Sequence, residues 1–365
     1  EPGSASSIMG YAGICSPNVQ SNSDDHFHGI SVEEMSTFIS GFGNTCAVST
    51  PTINSSPSIT GTNGNITIPG GTPFALTAIA TDPNGGNVLS YCWEQTDNQA
   101  STQPPAATST GGPSFRSLSP TTSTTRYFPN LTDLMAGGPF MWEVLPTVSR
   151  TMNFRVTVRD NAGPLPEVSC SDIQDVTVTV DAASGPFVET VPSAAGITWA
   201  GLSTETVTWN EAGTATGAVS CANVDILLST DGGLTYPTVL AVNVPNNGTS
   251  SITVPNISST TAVVMITCSN GTFFDISDNV FTITSGVPPP PASACLDTVF
   301  YPESKRTAFG AYQLISNPGN SLIGFSQTYN SNTGTIHGIN AYALLDTNGI
   351  VGDAPSKDVY IKVFN

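Results

Sequence analysis

The sequence predicts a mainly β protein in which tandem β-sandwiches follow a short helical segment, and two observations carry this prediction. Short runs rich in Val, Ile, Thr and aromatic residues alternate apolar and polar side chains with period two, which is typical of half-buried strands. Turn sequences separate these runs, as at Asp82–Gly86, which reads Asp-Pro-Asn-Gly-Gly. Together they favour sandwiches over a helical or an α/β fold.

Composition and charge limit the classes of partner and the cellular compartment that the chain can have. Only 10% of the 365 residues are charged, against roughly 25% in ordinary soluble domains. The net charge of -18 reflects a shortage of Lys and Arg, nine in all, so no basic patch is present and nucleic acid and anionic membrane are poor partners. Ser, Thr, Asn, Gly and Pro fill the surface instead, as in secreted β-domains. No apolar run is long enough to span a membrane and no signal peptide is present, so we expect a secreted chain that is mature or trimmed.

The first block, residues 1–49, contains the only convincing helix pattern. Ser31 is a good N-cap, and Glu34 three residues later completes a capping box. One apolar stripe follows at helical spacing, formed by Val32, Met35, Phe38 and Ile39.

A linker at 50–62 leads into the first predicted sandwich, residues 63–183. Its strand patterns are Phe74–Ala80, Leu89–Gln95, Asn153–Asp160 and Val176–Val180. Because Cys92 and Trp93 lie on one of these strands between turn signals, the block fits an immunoglobulin-like sandwich.

The second predicted sandwich spans 184–286 and is of the fibronectin-III-like kind. Its strand patterns are Thr206–Trp209, Val224–Ser229, Ser251–Val254 and Ala262–Ile266. The hairpin turn Asp231–Gly233 lies among them. A polyproline spacer at 287–291 then leads to a third β-rich block, 292–365, whose pattern stops at Asn365 as an incomplete domain would.

Seven cysteines without a C-x-x-C pair indicate disulfides in an oxidising compartment and argue against a cysteine-based zinc site. Spacing alone cannot fix the connectivity. Pairing the nearest cysteines within each block predicts Cys15–Cys46, Cys92–Cys170 and Cys221–Cys268. Cys295 is left over, and we expect its partner beyond Asn365.

Two groups of polar residues are candidate metal sites. Asp82, Asn84, Asp160 and Asn161 lie at predicted strand ends, where carboxylate and amide oxygens could bind calcium at one pole of the sandwich, or serve ordinary turn chemistry. In the second group His26 and His28 would face one side of a strand. With Asp24 and Asp25 they form either a metal site or a polar approach to the helix, with the acids near its N-terminus.

Residues Ser7–Tyr11 read Ser-Ile-Met-Gly-Tyr and resemble the methionine turn of metzincin zinc proteases. Over about 1–285 the chain resembles the secreted reprolysin-like (adamalysin-type) metalloproteases of Bacteroidetes. Further segments carry this resemblance: Glu1–Ser4, Arg126–Pro129, Trp142–Pro146, Val207–Trp209 and Leu228–Pro237. In that family the zinc histidines stand upstream, in an H-E-x-x-H-x-x-G-x-x-H helix that this chain lacks.

The resemblance implies that the chain is the C-terminal portion of a secreted zinc endopeptidase that acts on peptides or proteins. Met9 would form the apolar floor beneath the zinc histidines, at a buried cleft edge that it shares with Tyr11. The Ser31 helix would close the domain behind the turn and pack its apolar stripe against it. Tyr11 would contact the zinc or the oxyanion, or would pack in the core. The chain has neither an H-E-x-x-H segment to bind zinc nor a G-x-S-x-G nucleophile elbow, so the chain alone should not hydrolyse peptides.

The resemblance also bears on secretion and attachment. It implies export by the type IX pathway, attachment of the modules to cell-surface or matrix components, and O-glycosylation at Thr298 in Asp297–Val299. The alternative is a non-enzymatic adhesin or filament protein, since disulfide-bonded sandwiches on a stiff spacer also build such proteins.

Overall fold

Two β-sandwiches account for most of the chain from residue 58 to residue 284. The structure is a computed structural model that describes residues 1–45, 48, 50–163 and 168–286, together with the backbone of strands at 315–316, 322–331 and 334–344. The chain divides into two compact units, Glu1–Gly286 and Val287–Asn365. The predicted fold class, mainly β with tandem immunoglobulin-like and fibronectin-III-like sandwiches after a short helical segment, is confirmed.

The first sandwich has seven strands in two sheets. These are β1 Ser58–Thr62, β2 Ile66–Pro69, β3 Phe74–Thr81, β4 Ser90–Gln95, β5 Thr125–Phe128, β6 Arg150–Arg159 and β7 Ser171–Asp181. One sheet has the order β1-β3-β5 and the other β2-β7-β6-β4, with only the β2–β7 pair parallel. Strand β1 lies inside the predicted linker at 50–62, so the linker contributes its last five residues to the sandwich.

Four phenylalanines fill the space between these two sheets. Phe74 stacks on Phe128 with a centroid separation of 4.7 Å, and both meet Phe115 and Phe154 edge to face. All four are essentially inaccessible to solvent. Since aromatic pairs add to the free energy of burial, this cluster is the centre of the first core.

The second sandwich has nine strands in two sheets. These are β8 Val188–Val191, β9 Thr198–Ala200, β10 Thr204–Asn210, β11 Asn223–Ser229, β12 Thr238–Pro245, β13 Thr249–Thr253, β14 Ser259–Cys268, β15 Phe274–Ile276 and β16 Phe281–Thr284. The sheet orders are β13-β10-β8 and β12-β11-β14-β16-β9, with β15 also pairing β14. The Cys221–Cys268 disulfide is confirmed and joins the residues before β11 to the end of β14.

The two sandwiches meet at a hydrogen-bonded joint. Ala75 N donates to Thr272 O and Phe274 N donates to Pro73 O, both at 3.0 Å, so β3 of the first sandwich pairs locally with the β14–β15 turn of the second. Apolar side chains from both sandwiches pack beside it: Ala75, Leu131, Val263, Met265, Phe274 and Ile276. Both sandwiches therefore belong to one compact unit.

The N-terminal segment lies against the open face of the β2-β7-β6-β4 sheet. It contains helix α1 Gly29–Ser40 and a 3-10 turn at Phe42–Thr45, and a short helix α2 Leu131–Met135 follows later in the chain. Gly29 is required by close approach, because a Cβ there would lie 3.0 Å from Arg155 Cδ and from Thr157 Oγ1. Arg155 pairs with Glu33 of α1 and with Asp175 of β7, which ties the helix to the sheet.

The second unit is described only through three antiparallel strands, β17 Ile315–Ser316, β18 Leu322–Ser331 and β19 Gly334–Leu344. Several predictions fall outside the described residues: the spacer at 287–291, the Cys46 half of the Cys15–Cys46 disulfide, Cys295 and glycosylation at Thr298. Among the helices that the structure describes, none combines the length and apolarity needed to span a bilayer.

Candidate functional site

Met9 lies at the tip of a tight turn. Gly10 N donates to Ser7 O at 2.9 Å, which closes a four-residue turn with Ile8 and Met9 at its centre. Tyr11 N donates to Ser4 O at 2.8 Å, so the turn is anchored to the segment that precedes it. The turn borders an open cleft of about 430 Å³, which His28 and Ser31 also line. The local geometry is thus a four-residue turn that carries Met9 at the edge of a cleft.

The predicted burial of this turn is wrong. Met9 is 64% exposed and Tyr11 is 63% exposed. The predicted packing of the α1 stripe against the turn is also wrong, since Phe38 and Ile39 are 59% and 63% exposed. The physical reason is that α1 is held through Gly29 and Glu33, on another side of the helix, so its apolar side chains face outward.

The helix also begins earlier than predicted. α1 starts at Gly29, and its N-cap is His28, whose Nδ1 accepts a hydrogen bond from Ile30 N at 3.2 Å. The predicted N-cap Ser31 is inside the helix. Glu94 on β4 accepts from Gly29 N at 2.7 Å. A carboxylate at this place is stabilised by the partial positive charge of the helix N-terminus, and it fixes where the helix begins.

Glu94 is the centre of a buried cluster of ionisable side chains. It is completely inaccessible to solvent, and it lies on β4 between the sheet and the N-terminal segment. His26 Nε2 is 3.6 Å from Glu94 Oε1, and His28 Nε2 is 3.9 Å from the same oxygen. Ser117 Oγ donates to Glu94 Oε1 and lies 2.9 Å from His26 Nε2. Cys92 Sγ lies close enough to His26 and Glu94 for the three to share one ion.

The environment sets the charge of each group. Burial raises the pKa of Glu94, but the two imidazoles, the Ser117 hydroxyl and Gly29 N–H outweigh it and lower the pKa to about 2. Burial lowers the pKa of His28 despite the nearby carboxylates. Burial, then the adjacent Glu94, raises the pKa of the Cys92 thiol. At neutral pH the cluster therefore holds one ionised carboxylate beside a protonated thiol.

The order of contacts in this cluster excludes a serine nucleophile. Ser117 lies between the glutamate and the histidine, whereas a nucleophilic serine needs the histidine between itself and the carboxylate. Ser117 is also only 1% exposed, so no substrate can reach it. The cluster can hold protons or a metal ion, and it is not an acyl-transfer site.

The predicted histidine–aspartate group comes together only in part. His26 and His28 do converge, but on Glu94 and Glu1 rather than on the two neighbouring aspartates. Asp24 instead accepts from Gln20 Nε2 at 3.0 Å and pairs with Arg116 at 3.8 Å.

The four residues predicted to bind calcium come to one end of the first sandwich, where residues 52–55 connect their loops. Asn84 Oδ1 accepts from Ser55 N, and Asp160 Oδ2 accepts from Asn54 Nδ2. Asp160 Oδ1 accepts from Ala162, Ser169 and Cys170, and these bonds, against the effect of burial, lower the Asp160 pKa. Asp82 caps its own turn by accepting from Asn84 N, while Asn161 donates to Val88 O. The hydrogen bonds satisfy Asp160 without an ion, and the calcium site stays a prediction.

The predicted Cys92–Cys170 disulfide is wrong. Strand β6 lies between the two cysteines. Cys92 on β4 is opposite Thr157 on β6, and Thr157 is opposite Ile173 on β7, three residues beyond Cys170. Both cysteines are free thiols, and Cys92 Sγ donates to Leu118 O at 3.4 Å. Cys15 is exposed, and its predicted partner lies outside the described residues.

Sequence reasoning missed Glu94, Ser117 and Arg155. The signal for Glu94 was a carboxylate inside Cys92–Gln95, a stretch with no polar–apolar alternation in which every side chain is buried. Buried charges require partners, and the two histidines were the candidates. Nothing comparable marks Ser117 or Arg155.

The comparisons with known proteins begin from sequence. No protein-family model matches the chain, and no curated protein matches it. Solved structures do match, at low similarity. The fibronectin(III)-like modules of Clostridium thermocellum CbhA are 9% identical, with 63% of this chain and 94% of that chain covered and a TM-score of 0.21.

Two further matches have similar values. The tandem Ig repeats of Dlar are 11% identical, with 62% and 96% covered and a TM-score of 0.33. Mouse cadherin-23 EC22-24 is 15% identical, with 64% and 67% covered and a TM-score of 0.22. With TM-scores this low, no argument about the function of this chain rests on these matches.

Proposed function

We propose that the chain is the C-terminal portion of a secreted zinc-dependent endopeptidase, in which residues 1–49 complete the catalytic domain. The observation that carries the proposal is the tight turn Ser7–Gly10, which presents Met9 at the edge of an open cleft. A methionine turn beneath a metal site has this form. The turn is built by backbone hydrogen bonds of this segment and does not depend on a zinc-binding helix.

The exposed apolar side chains of this segment support the proposal. Around the turn and along α1 they are Ile8, Met9, Tyr11, Ile14, Met35, Phe38, Ile39 and Phe42. Large apolar side chains that gather in one short segment mark a surface that packs on another polypeptide. In the proposal, the zinc-binding part of the catalytic domain covers Met9 and Tyr11. These side chains are exposed here because that part is not included in this sequence.

The residues of this chain do not fit the zinc ligand set themselves. The histidines are His26, His28 and His337, and none stands in the H-E-x-x-H-x-x-G-x-x-H spacing that supplies three ligands. Met9 would contribute the apolar floor of the zinc site, and the Tyr11 hydroxyl would face the reacting carbonyl. Peptide hydrolysis would require residues that this sequence does not contain.

The two sandwiches would position the enzyme on a protein substrate or a cell-surface component outside the cell. The disulfide in the second sandwich and the scarcity of charged side chains favour an oxidising, extracellular compartment. Export by the type IX pathway belongs to the same proposal.

The test is expression of the complete reading frame that encodes this chain, followed by a casein hydrolysis assay with and without a zinc chelator. We expect chelator-sensitive hydrolysis. Met9→Ala should destabilise the catalytic domain by about 2–5 kcal/mol through the cavity it leaves. Tyr11→Phe should lower kcat and leave the fold intact. Met141→Ala is the matched control, because Met141 is an exposed methionine outside this segment.

A reading frame without the histidine helix, or a full-length product without chelator-sensitive activity, would overturn the proposal. The tandem sandwiches would then stand as a non-enzymatic adhesin or filament protein. Identical activity of wild type, Met9→Ala and Tyr11→Phe would separately remove these two residues from the catalytic site.

A further inference from the structure

We propose that His26, Cys92 and Glu94 form a closed zinc site that fastens the N-terminal segment to the first sandwich. This site is separate from the zinc of the proposed endopeptidase, and it does not depend on that proposal. Cys92 and Glu94 lie on β4, while His26 belongs to the segment that precedes α1. The ion would therefore join two parts of the chain that are far apart in sequence.

The distances suit a small tetrahedral ion. The imidazole nitrogen, the thiol sulfur and a carboxylate oxygen all lie within 4.8 Å of one another. The His26 Nε2 to Glu94 Oε1 separation is 3.6 Å. A tetrahedral zinc ion with bonds of about 2.0–2.3 Å holds its ligand atoms roughly 3.3–3.6 Å apart. The side chains need to move together by less than about 1.5 Å, which side-chain rotation can supply.

The ligand types and their charges also suit zinc. Thiolate, imidazole and carboxylate are its three protein ligands. A thiolate and a carboxylate together neutralise the ion, so the occupied site carries no net charge in a region that water does not reach. Cys92, Glu94 and His26 are all more than nine-tenths buried, as in structural zinc sites. Ser117 Oγ contacts both His26 and Glu94 and is available as the fourth ligand.

The hydrogen bonds of the two histidines distinguish His26 from His28. His28 Nδ1 accepts from Ile30 N, which keeps the proton of a neutral ring on Nε2, the atom that faces Glu94. Ser117 Oγ gives its proton to Glu94, so in the metal-free protein it accepts a hydrogen bond from His26 Nε2. His26 Nδ1 is buried without a hydrogen-bond partner, so the ring loses no contact on that side when zinc binding moves its proton from Nε2 to Nδ1. The resulting tautomer presents the Nε2 lone pair to Cys92 and Glu94. The alternative group of Glu1, His28 and Glu94 is therefore less suited to a metal.

Binding of zinc displaces the proton of the Cys92 thiol, which leaves to solvent as the S–Zn bond forms. Lone pairs of His26 Nε2 and of a Glu94 carboxylate oxygen form the Zn–N and Zn–O bonds, and the His26 ring proton moves from Nε2 to Nδ1. No electron is transferred. Because the site is closed, we expect the ion to enter while the chain folds. Its binding free energy then adds to the stability of the contact between the N-terminal segment and β4.

Cobalt(II) is the probe, because it takes the zinc geometry and reports its ligands by absorption. The full chain is unfolded without reductant, freed of metal with a chelator, and refolded with cobalt(II). We expect about one bound ion per chain, visible d–d bands of a tetrahedral site and a thiolate-to-cobalt charge-transfer band in the near ultraviolet. Zinc should displace the cobalt. Cys92→Ser should abolish the charge-transfer band, while Cys170→Ser should keep it.

His26→Ala should weaken zinc binding by at least about 100-fold, since loss of an outer hydrogen-bond partner alone costs 10–100-fold. His28→Ala is the matched control and should change the affinity far less. If the variants at the site fail to fold, wild-type protein still tests the proposal. Zinc should slow thiol labelling at one cysteine, identified by peptide mapping as Cys92.

Several results would overturn the proposal. The first is that the protein binds no cobalt. The second is that Cys92→Ser keeps the charge-transfer band of the wild type. The third is that Cys92 is labelled at the same rate with zinc as with chelator. A site that is lost in His28→Ala but kept in His26→Ala would assign the ion to the other side of Glu94, and would equally refute His26 as a ligand.

Discussion

Loss of the Cys221–Cys268 disulfide is expected to lower the unfolding free energy by about 4 kcal/mol. The cystine closes a loop with a sequence separation of 47. In the chain-entropy model this loop reduces the entropy of the unfolded chain by about 14 cal/mol/K, which is about 4 kcal/mol at 25 °C. For cooperative unfolding of a unit of this size, each kcal/mol shifts Tm by about 2–4 °C, so the expected decrease is about 8–16 °C.

The perturbation is Cys221→Ala with Cys268→Ala, measured by urea unfolding at pH 7 with tryptophan fluorescence. Trp199 and Trp209 report directly on the second sandwich, because both are buried there. Cys170→Ala is the matched control, since it removes a free thiol, and it should change stability by less than about 1 kcal/mol. Reduced wild type is a second comparison that keeps both buried sulfur atoms.

A loss below about 1 kcal/mol in both the double variant and the reduced protein would refute this reasoning. It would mean that the loop is already constrained in the unfolded chain, or that the sandwich gains nothing from the link. An equal loss in Cys170→Ala would show that the measurement reports general damage and not loop entropy.

Three further predictions follow from burial and charge. Burial raises the pKa of Glu189 from 4.5 to about 8, so the folded state keeps a proton that the unfolded state releases, and stability should fall as pH rises from about 4.5 to 8. Glu189→Gln should flatten this slope and raise stability at pH 8, as urea titrations at pH 5 and pH 8 would report. Phe74→Ala should cost about 3–5 kcal/mol, whereas Phe38→Ala, on an exposed side chain, should stay within about 0.5 kcal/mol by the same titration. The 365-residue chain alone should leave casein intact in a fluorogenic assay with added zinc; chelator-sensitive cleavage would contradict the role assigned to the missing histidine helix.

The strands could be predicted from sequence because each has one face toward a core. Asn153–Asp160 alternates in the sequence, and β6 covers Arg150–Arg159 with its apolar side chains buried. The patterns at 224–229 and 262–266 became β11 and β14 in the same way. A period-two pattern is enough to predict a strand when one face of the sheet packs on a core and the other does not.

Helix α1 shows where local pattern fails. Its apolar spacing is the same whether a neighbour covers that side or not, so the sequence could not tell that Phe38 and Ile39 are exposed. Its first residue depends on Glu94, which accepts from Gly29 N across 65 positions of sequence. Capping rules read only the few residues around Ser31, and they cannot include a carboxylate from another element.

Only the two histidines of the candidate site could be predicted, because its other residues come from distant elements of the chain. The prediction that His26 and His28 face one side assumed a strand, and residues 24–28 form none, although both rings do face one carboxylate. The identity of that carboxylate is tertiary information. The Cys92–Cys170 error has the same origin, because pairing neighbours along the sequence ignores the register that places Cys92 opposite Thr157.

The joint at Ala75 and Phe274 has a consequence for how such a chain evolves. Tandem sandwiches are usually exchanged as independent modules, each carrying its own complete core. Here the strand that contributes Phe74 to the first core also holds the β14–β15 turn of the second. Recombination at residue 184 would expose Ala75 and Phe274 together and leave two backbone N–H groups without acceptors. Either sandwich taken alone would therefore lack part of its packing and hydrogen bonding, so a substitution at the joint affects both.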